Sequence, residues 1–565
     1  MELSQVDGRN LSPEGFMSLI EAQHVLFSAT PSRMSLRSLS FEEIPAYQSV
    51  AVNVWRNHAF EPLIPLVQPY FSYSSTECNF RLLDYDDSLA FLDWQQADVE
   101  LLWLDPLRYL SKNSLEEWVD WLKSRVAHLR EISSAPILIA TWFPGGSENL
   151  LGQVLSLIPS VFVVDLETIA IEANQPLCDE SALSFSGTRL NPKLHIPLAR
   201  SIACHWIPGA FFPPLKAVFV DLDNTLYEGI LGEDGPEGVT LTPGHHALQE
   251  ELVALKDRGV FLGLISKNQL EDVEKLFEAR RDFPLGLDDF SIVDVSWEEK
   301  HLAISRGLSH LGIGSDAAIF VDDNPGEIVS VTRVLPDVRT VHATADAFVT
   351  ARALIYTPGL WRWDVTEEDL KRIDDQRANS AREAILNQVR DPREYFESLG
   401  IRLTFHVNPR QKAARLSDLS LKTNQFNLSF RRLNEADVLK YMEPNHAAVA
   451  VSLEDRLSDS GVIAMVLMRF DSSTAFVDEL TVSCRALGRQ LEDSVVIGAI
   501  KAAIMRTETT QVSFAPVDGP RNAPALTWLQ TLETSISEGN AVITSERVSL
   551  FEPPEGVSFE VEGDV

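Results

Sequence analysis

Cysteine is scarce in this chain: four residues in 565, at Cys78, Cys178, Cys204 and Cys484. They are widely scattered and no two stand at metal-ligand spacing, so they read as reduced thiols of a cytoplasmic protein. Basic residues are also few, 48 Lys and Arg against 82 Asp and Glu, for a formal net charge of −34. Such a chain lacks the Lys and Arg that would neutralise a phosphate backbone, which argues against nucleic acid as a partner and equally against an anionic membrane surface. No apolar run is long enough to span a bilayer. Met1 to Ile20 lacks the basic start and apolar centre of a signal peptide. Internal repeats and low-complexity tracts are absent too. The rest is ordinary for a globular protein, 45% hydrophobic and 23% charged. The length predicts about three domains.

What is present centres on residues 216–229, KAVFVDLDNTLYEG. The apolar run Ala217 to Val220 predicts a buried strand that delivers Asp221, with Asp223 two residues later. Carboxylates just past a strand project from the carboxyl edge of an α/β sheet, where ligands usually bind. Two of them together can hold a hard cation such as magnesium. One can also attack phosphorus while the other handles the leaving-group proton. Asn224, Thr225 and Gly229 turn the chain away.

Three further signals follow in order. Phe261 to Ile265 is a second apolar strand leading into Ser266-Lys267-Asn268, where a strand-end hydroxyl can hold a phosphoryl oxygen. Lys300 can neutralise the charge of a phosphoryl-enzyme. Ala318 to Val321 is a third strand, ending in Asp322 and Asp323, an acidic pair able to complete a magnesium shell. Together these motifs resemble the haloacid-dehalogenase (HAD) phosphatase superfamily. The resemblance implies Asp221 as phosphoryl-accepting nucleophile, Asp223 as general acid/base, and Thr225, Ser266, Lys267, Asn268 and Lys300 around the phosphate. It also implies Asp221, Asp223, Asp322 and Asp323 around Mg2+. Between Asp221 and Ser266 there is room for little beyond a loop and the helix His246 to Arg258. Between Ser266 and Lys300 there is one further helix, with Leu270, Val273, Leu276 and Phe277 on its core face. No inserted cap fits in either gap, so the site is capless. Its substrate is then large, or flanking domains cover it.

Residues 1–45 read as a helical or partly disordered extension. Over 46–207, strands VAVNVW, CNFRLLD, VELLWLD, PILIATW and VFVVDL alternate with helices, among them Ser114 to Ile132, which predicts βαβ units and a parallel sheet. The order suggests an SGNH-hydrolase-like domain, but no Ser nucleophile follows the first strand, which ends Trp55-Arg56-Asn57-His58. His58 therefore reads as structural and the domain as catalytically degenerate. The HAD-like domain covers 208–357, entered through a linker at Pro208 to Pro214. Its Gly232-Glu233-Asp234-Gly235 reads as a turn without the further carboxylates of a calcium loop. A charged helical linker occupies 358–390.

From 391 to 565 the pattern changes to long antiparallel strands followed by Gly488-Arg489 opening a helix, similar to an acetyltransferase-type (GNAT) α+β fold. In that fold the helix N-terminus after the central strand receives an anionic ligand, here with Arg485 and Arg489 to reinforce it. Cys484 lies between that strand and helix, where a thiolate is favoured and could act as nucleophile. Asp478 and His406 are possible helpers. Cys78, Cys178 and Cys204 lack comparable surroundings.

DLDNTLYEGILGEDG, LISKN, FVDDNPGE, LKTNQFNLSFRR and SCRALGR together resemble the FkbH-like (HAD-IIIC) family of polyketide and related pathways, over about residues 45–550. Tyr227-Glu228 stands where many members carry Trp-Gly, and Thr481-Val482 where Leu-Met is common. The resemblance implies conversion of 1,3-bisphosphoglycerate, with loss of the 3-phosphate, to a glyceryl thioester on an acyl carrier protein. Arg431-Arg432 and the Arg485/Arg489 pair are then candidate docking cations for that acidic partner. Two other readings stay open: a plain magnesium-dependent phosphatase of a small metabolite or protein, and a non-catalytic carrier-protein scaffold.

Overall fold

The computed structural model describes residues 13–143, 148–155, 157–389, 391–505, 507–519, 521–532, 535–537 and 540–563. The chain forms two compact units. The first comprises residues 1–308 and 315–364, and the second residues 309–314 and 365–565.

The first unit contains two parallel sheets. One is built from β1 (Gln48–Arg56), β2 (Thr76–Tyr85), β3 (Val99–Trp103), β4 (Ile137–Thr141) and β5 (Val161–Asp165), in the order β2-β1-β3-β4-β5. The other comprises β6 (Ala217–Val220), β7 (Phe261–Ser266), β8 (Ile292–Val295), β9 (Ala318–Asp322) and β10 (Arg339–His342), ordered β10-β9-β6-β7-β8. The central strands are buried on both faces, which is why they read as mainly apolar runs instead of alternating ones, interrupted in β3 by the buried Glu100. Leu115–Ile132 forms as the sequence predicts. Ser114 caps it in a reciprocal box with Glu117, and Trp118, Leu122, Val126 and Leu129 face inward. β8 and β10, short and only partly buried, escape sequence reading.

One hydrophobic core runs through both sheets, joining Val52 and Val54 to Val218 and Val220. The segment between the sheets takes part in it. Residues 195–211 are helical throughout, with a π-helical turn at Ile202–Trp206, and Leu198, Ile202, Ile207 and Pro208 are buried. Pro208, expected to open a linker, is instead buried within this helical run. Residues 1–12 of the expected extension lie outside the described residues. Helix Pro13–Leu26 packs on the second sheet, where the Gln23 amide donates to the His342 carbonyl (2.7 Å) and accepts from the His342 N–H (3.0 Å). This pairing satisfies backbone groups of the edge strand β10.

The second unit is built on an eight-stranded mixed sheet. Its strands are β11 (Ile401–Val407), β12 (His446–Glu454), β13 (Asp459–Asp471), β14 (Thr474–Val482), β15 (Gln511–Phe514), β16 (Ser535–Ser537), β17 (Asn540–Thr544) and β18 (Val557–Glu562), ordered β16-β17-β15-β14-β13-β12-β11-β18. β11 to β14 pair antiparallel, as the long strands predict. Helix Pro392–Leu399, capped by Asp391 and closed by left-handed Gly400, forms where the sequence places it. The helix after β14 does not. It begins at Glu492, not Gly488, because Gly488 and Gln490 both hold positive φ (76° and 59°) and keep the chain in a turn. The charged helix Glu367–Gln388 belongs to this unit.

β6 is held in place by a size match. A Cβ on Gly263 of β7 would meet the Phe219 ring at 2.4 Å, and one on Gly307 would meet it at 2.7 Å. Phe219 therefore fills space that two glycines leave beside the strand carrying Asp221. Gly263→Ala is expected to destabilise the first unit by about 1–3 kcal/mol through overpacking. Denaturant unfolding measures this, and an unchanged midpoint would show that the ring has room to move.

Candidate active site

Three adjacent strands, β9, β6 and β7, bring their carboxyl ends together in register, Val321 beside Val220 beside Leu264. Asp221 follows β6, Asp322 ends β9 and Ser266 ends β7, so residues a hundred positions apart meet at one sheet edge. Lys300, the first residue of helix Lys300–Leu311, places its Nζ 2.6 Å from Asp221 Oδ1 and 2.6 Å from Asp322 Oδ2. All three side chains are buried.

Asp221, Asp322 and Asp323 offer ligand oxygens within 4.8 Å of one another, a group able to hold a divalent cation. Burial pushes the pKa of Asp221 up to about 7 against the pull of Lys300, with Asp322 adding to the rise. Burial also raises Asp322, opposed by Lys300, and raises Asp323, where Asp221 contributes. At Lys300 burial opposes the charge, but the two carboxylates outweigh it and hold its pKa above the ordinary lysine value. Three carboxylates thus face one ammonium, and the unmatched negative charge suits a hard cation.

Asp223 stands apart from this cluster. Its carboxylate accepts from Tyr227 Oη (2.5 Å), the Leu231 N–H (2.9 Å) and Asn268 Nδ2 (2.9 Å), so its side chain is not among the grouped ligand oxygens expected of it. The local sequence explains the placement. Asn224 takes a left-handed φ of 52°, its side chain accepts from the Gly229 N–H, and its own N–H donates to the Gly229 carbonyl. The closed loop returns Tyr227 and Leu231 beneath Asp223. The role of Tyr227 was not read from sequence; the departure at 227 was the visible signal.

The expected phosphate ligands divide. Thr225 Oγ1 is buried without a hydrogen-bond partner, and is therefore available to a ligand oxygen. Ser266 Oγ accepts from Asn268 Nδ2 (3.1 Å), so these two stand together beside Asp223. Lys267 is paired with Glu327 (2.5 Å), a partner sequence reading did not single out.

In the second unit Cys484 is partly exposed in the turn after β14. The helix expected beside it starts only at Glu492-Asp493, and Glu492 accepts from the Gly488 N–H (3.1 Å). Those carboxylates occupy the end where an anion was expected and would repel one. Arg489 is likewise not free for a ligand: its guanidinium reaches Asp375 at 3.3 Å and Asp455 at 3.4 Å. Arg485 remains beside Cys484, buried, with Nη1 unpartnered. His406 bonds Ser452 and Glu562, and Asp478 accepts from Tyr441 and Arg469, so neither is poised as a helper. Arg432 turns inward onto the Ser420, Leu421 and Thr423 carbonyls, which removes it from the docking patch; Arg431 donates to Tyr441. Burial pushes the Cys178 thiol up to about 11, Cys204 up to about 12, and Cys78 higher still, as befits inert packing residues. His58 is buried, bonded to Thr188 (2.8 Å) and stacked on Trp103; burial lowers its pKa to about 3, so it is a neutral packing group.

No family model and no curated protein matches the chain. Among solved structures it is similar to the N-terminal part of the protein BF1531 from Bacteroides fragilis, which contains a phosphatase domain complexed with Mg. The identity is 18% over 61% of this chain and 99% of that one, with a TM-score of 0.44. It is also similar to a HAD-like phosphatase from Mesorhizobium loti, at 12% identity over 26% of this chain and 90% of that one, with a TM-score of 0.19. At these scores the assignment of the site rests on its own geometry.

A cation test follows from the crowded carboxylates. A carboxyl whose pKa rises from 3.8 to about 7 on folding contributes stability that is present at low pH and lost as pH climbs through that window. The metal-free protein should therefore lose thermal stability across it. Magnesium chloride should restore the loss and raise the midpoint more above about pH 7 than below about pH 5, where protons compete for the ligands. Thermal scans with and without the salt read the difference. Equal stabilisation at both pH values would exclude these carboxylates as the binding site.

Proposed function

We propose that the first unit is a magnesium-dependent phosphomonoesterase that forms its phosphoryl-enzyme on Asp221. The observation that carries the reading is the Asp221–Lys300–Asp322 cluster with Asp323 at one sheet edge. A magnesium ion held by Asp221, Asp322 and Asp323 would supply charge neutralisation for the phosphoryl group. Lys300 pins one Asp221 oxygen and orients the carboxylate. An Asp221 oxygen attacks phosphorus, the P–O bond to the substrate breaks, and the departing oxygen takes a proton from Asp223. Water then attacks the phosphoryl group, gives its proton to Asp223, and inorganic phosphate leaves with Asp221 restored. Thr225, Ser266 and Asn268 line the path of the phosphoryl oxygens. To exchange protons Asp223 gives up one of its three present donors, Tyr227, the Leu231 N–H or Asn268.

The finer reading is a bifunctional enzyme of the FkbH-like kind, supported by the resemblance of its long motifs. Its substrate is 1,3-bisphosphoglycerate and its acceptor an acyl carrier protein. In the GNAT-like second unit the Cys484 thiolate attacks the acyl phosphate carbon. A C–S bond forms and the C–O bond to the 1-phosphate breaks; hydrolysis at the Asp221 site removes the 3-phosphate; and the carrier thiol takes the acyl group as the bond to Cys484 Sγ breaks and the thiolate is restored. The SGNH-like sheet of the first unit acts as a shield or binding surface without chemistry of its own. The completeness of the Asp221 site, which needs no thiol, favours the plain phosphatase as the second reading.

Asp221→Asn should reduce phosphate release from a phosphomonoester at least 100-fold, an effect of the order seen on removing an essential nucleophile. EDTA should abolish wild-type release. Substantial turnover by the variant, or indifference to EDTA, would sink the phosphatase assignment. Cys484→Ala separates the two readings: it should stop thioester formation on the carrier, followed by intact mass, while phosphomonoester hydrolysis continues. Full loading by that variant would remove the covalent route.

A further inference from the structure

Ion pairs match two of the buried arginines of the second unit and leave a third, Arg485, without one among the described residues. The charges of Arg382 and Arg489 are matched by those of Asp375 and Asp455, with Ser458 and Ser460 completing the Asp375 shell and only Arg489 Nε left without a partner among the four side chains. Beside them two further guanidiniums converge on a single neutral acceptor. Arg415, on helix Ala413–Lys422, donates to the Val462 carbonyl at 2.8 Å, and Arg485 donates to the same oxygen at 3.4 Å. Each keeps a buried N–H group with no partner, Nε on Arg415 and Nη1 on Arg485. Among the described residues Arg415 forms an ion pair only with Asp418, 3.9 Å away, and that carboxylate is already held by Lys422 at 2.5 Å.

Two cations sharing one carbonyl repel each other, and a buried N–H group left unpaired forfeits its bond to water without replacement. The burden is visible at Arg485. Burial, with Arg415 and Arg372 adding to it, lowers its pKa to about 10, and Asp375 only partly offsets them. A bound dianion would remove both penalties. Forked guanidinium donors suit phosphate, which carries close to two charges near neutral pH.

We propose that Arg415 and Arg485 form a binding site for a phosphate monoester or inorganic phosphate, next to Cys484 and distinct from the Asp221 site. Arg489 is not part of it. The identity of the phosphate's owner rests on the reading above: a phosphorylated acyl group would be held with its carbonyl toward the thiol. The presence of the anion site does not depend on that reading.

The test uses the full chain and the rate at which iodoacetamide alkylates Cys484, followed on the peptide containing it. Inorganic phosphate is expected to slow alkylation at least 5-fold. Arg415→Gln should abolish that protection, and Arg415→Lys should retain part of it, which separates a lost charge from a lost fold. Asp221→Asn should leave the protection intact. Absence of protection in the wild type, its persistence in Arg415→Gln, or its loss in Asp221→Asn would each overturn the site. If 3-phosphoglycerate protects at lower concentration than inorganic phosphate, the site belongs to a phosphorylated acyl ligand. Equal concentrations assign it to the free anion. A protein that loads the carrier without phosphate protection refutes this site alone. One that is protected yet never loads refutes only the transfer reading.

Discussion

The active edge of the first unit depends on one ammonium. Lys300 stands 2.6 Å from carboxylates that end two neighbouring strands, and without it Asp221 and Asp322 would face each other buried and unpaired. Breaking such a pair from one side costs several kcal/mol, so the sheet edge depends on the lysine to close. Yet it does not finish the job. Asp323 adds a third carboxyl that Lys300 does not pair, and burial raises all three. The fold thus tolerates an incomplete charge balance at the place where a cation and a phosphoryl group would complete it, as preorganised catalytic sites do.

Much of that edge was legible in the chain. Apolar runs ending in acids locate β6 and β9 because a parallel strand buried on both faces must be apolar until it leaves the sheet. Asp221, Asp322, Asp323 and Lys300 then meet by topology alone. The side-chain partners were not legible. Tyr227 on Asp223 and Glu327 on Lys267 depend on how loops fold back, and sequence spacing does not encode that. The second unit was harder. Its strands announce themselves by length, but Gly488 looks like a helix opener when it is one of two left-handed residues delaying the helix to Glu492. Arg489 looked like a free cation because Asp375, 114 residues away, cannot be associated with it from sequence.

The two units handle buried charge in different ways. In the first, one cation is shared between two anions. In the second, two arginines and two aspartates close on each other, and two more arginines are left over against a carbonyl. A closed set specifies packing; an open set leaves capacity for something that is not part of the chain.

Helix Glu367–Gln388 looked from its composition like a solvated spacer, but it supplies Asp375 and Arg382, half of the closed network. This bears on where the chain can be divided. A fragment beginning at residue 391 would keep the whole eight-stranded sheet and still carry Asp455 and Arg489 into its interior with half their partners missing. The smallest self-sufficient piece of the second unit is therefore larger than its sheet. Any exchange of this module between proteins, natural or by design, has to take the helix along.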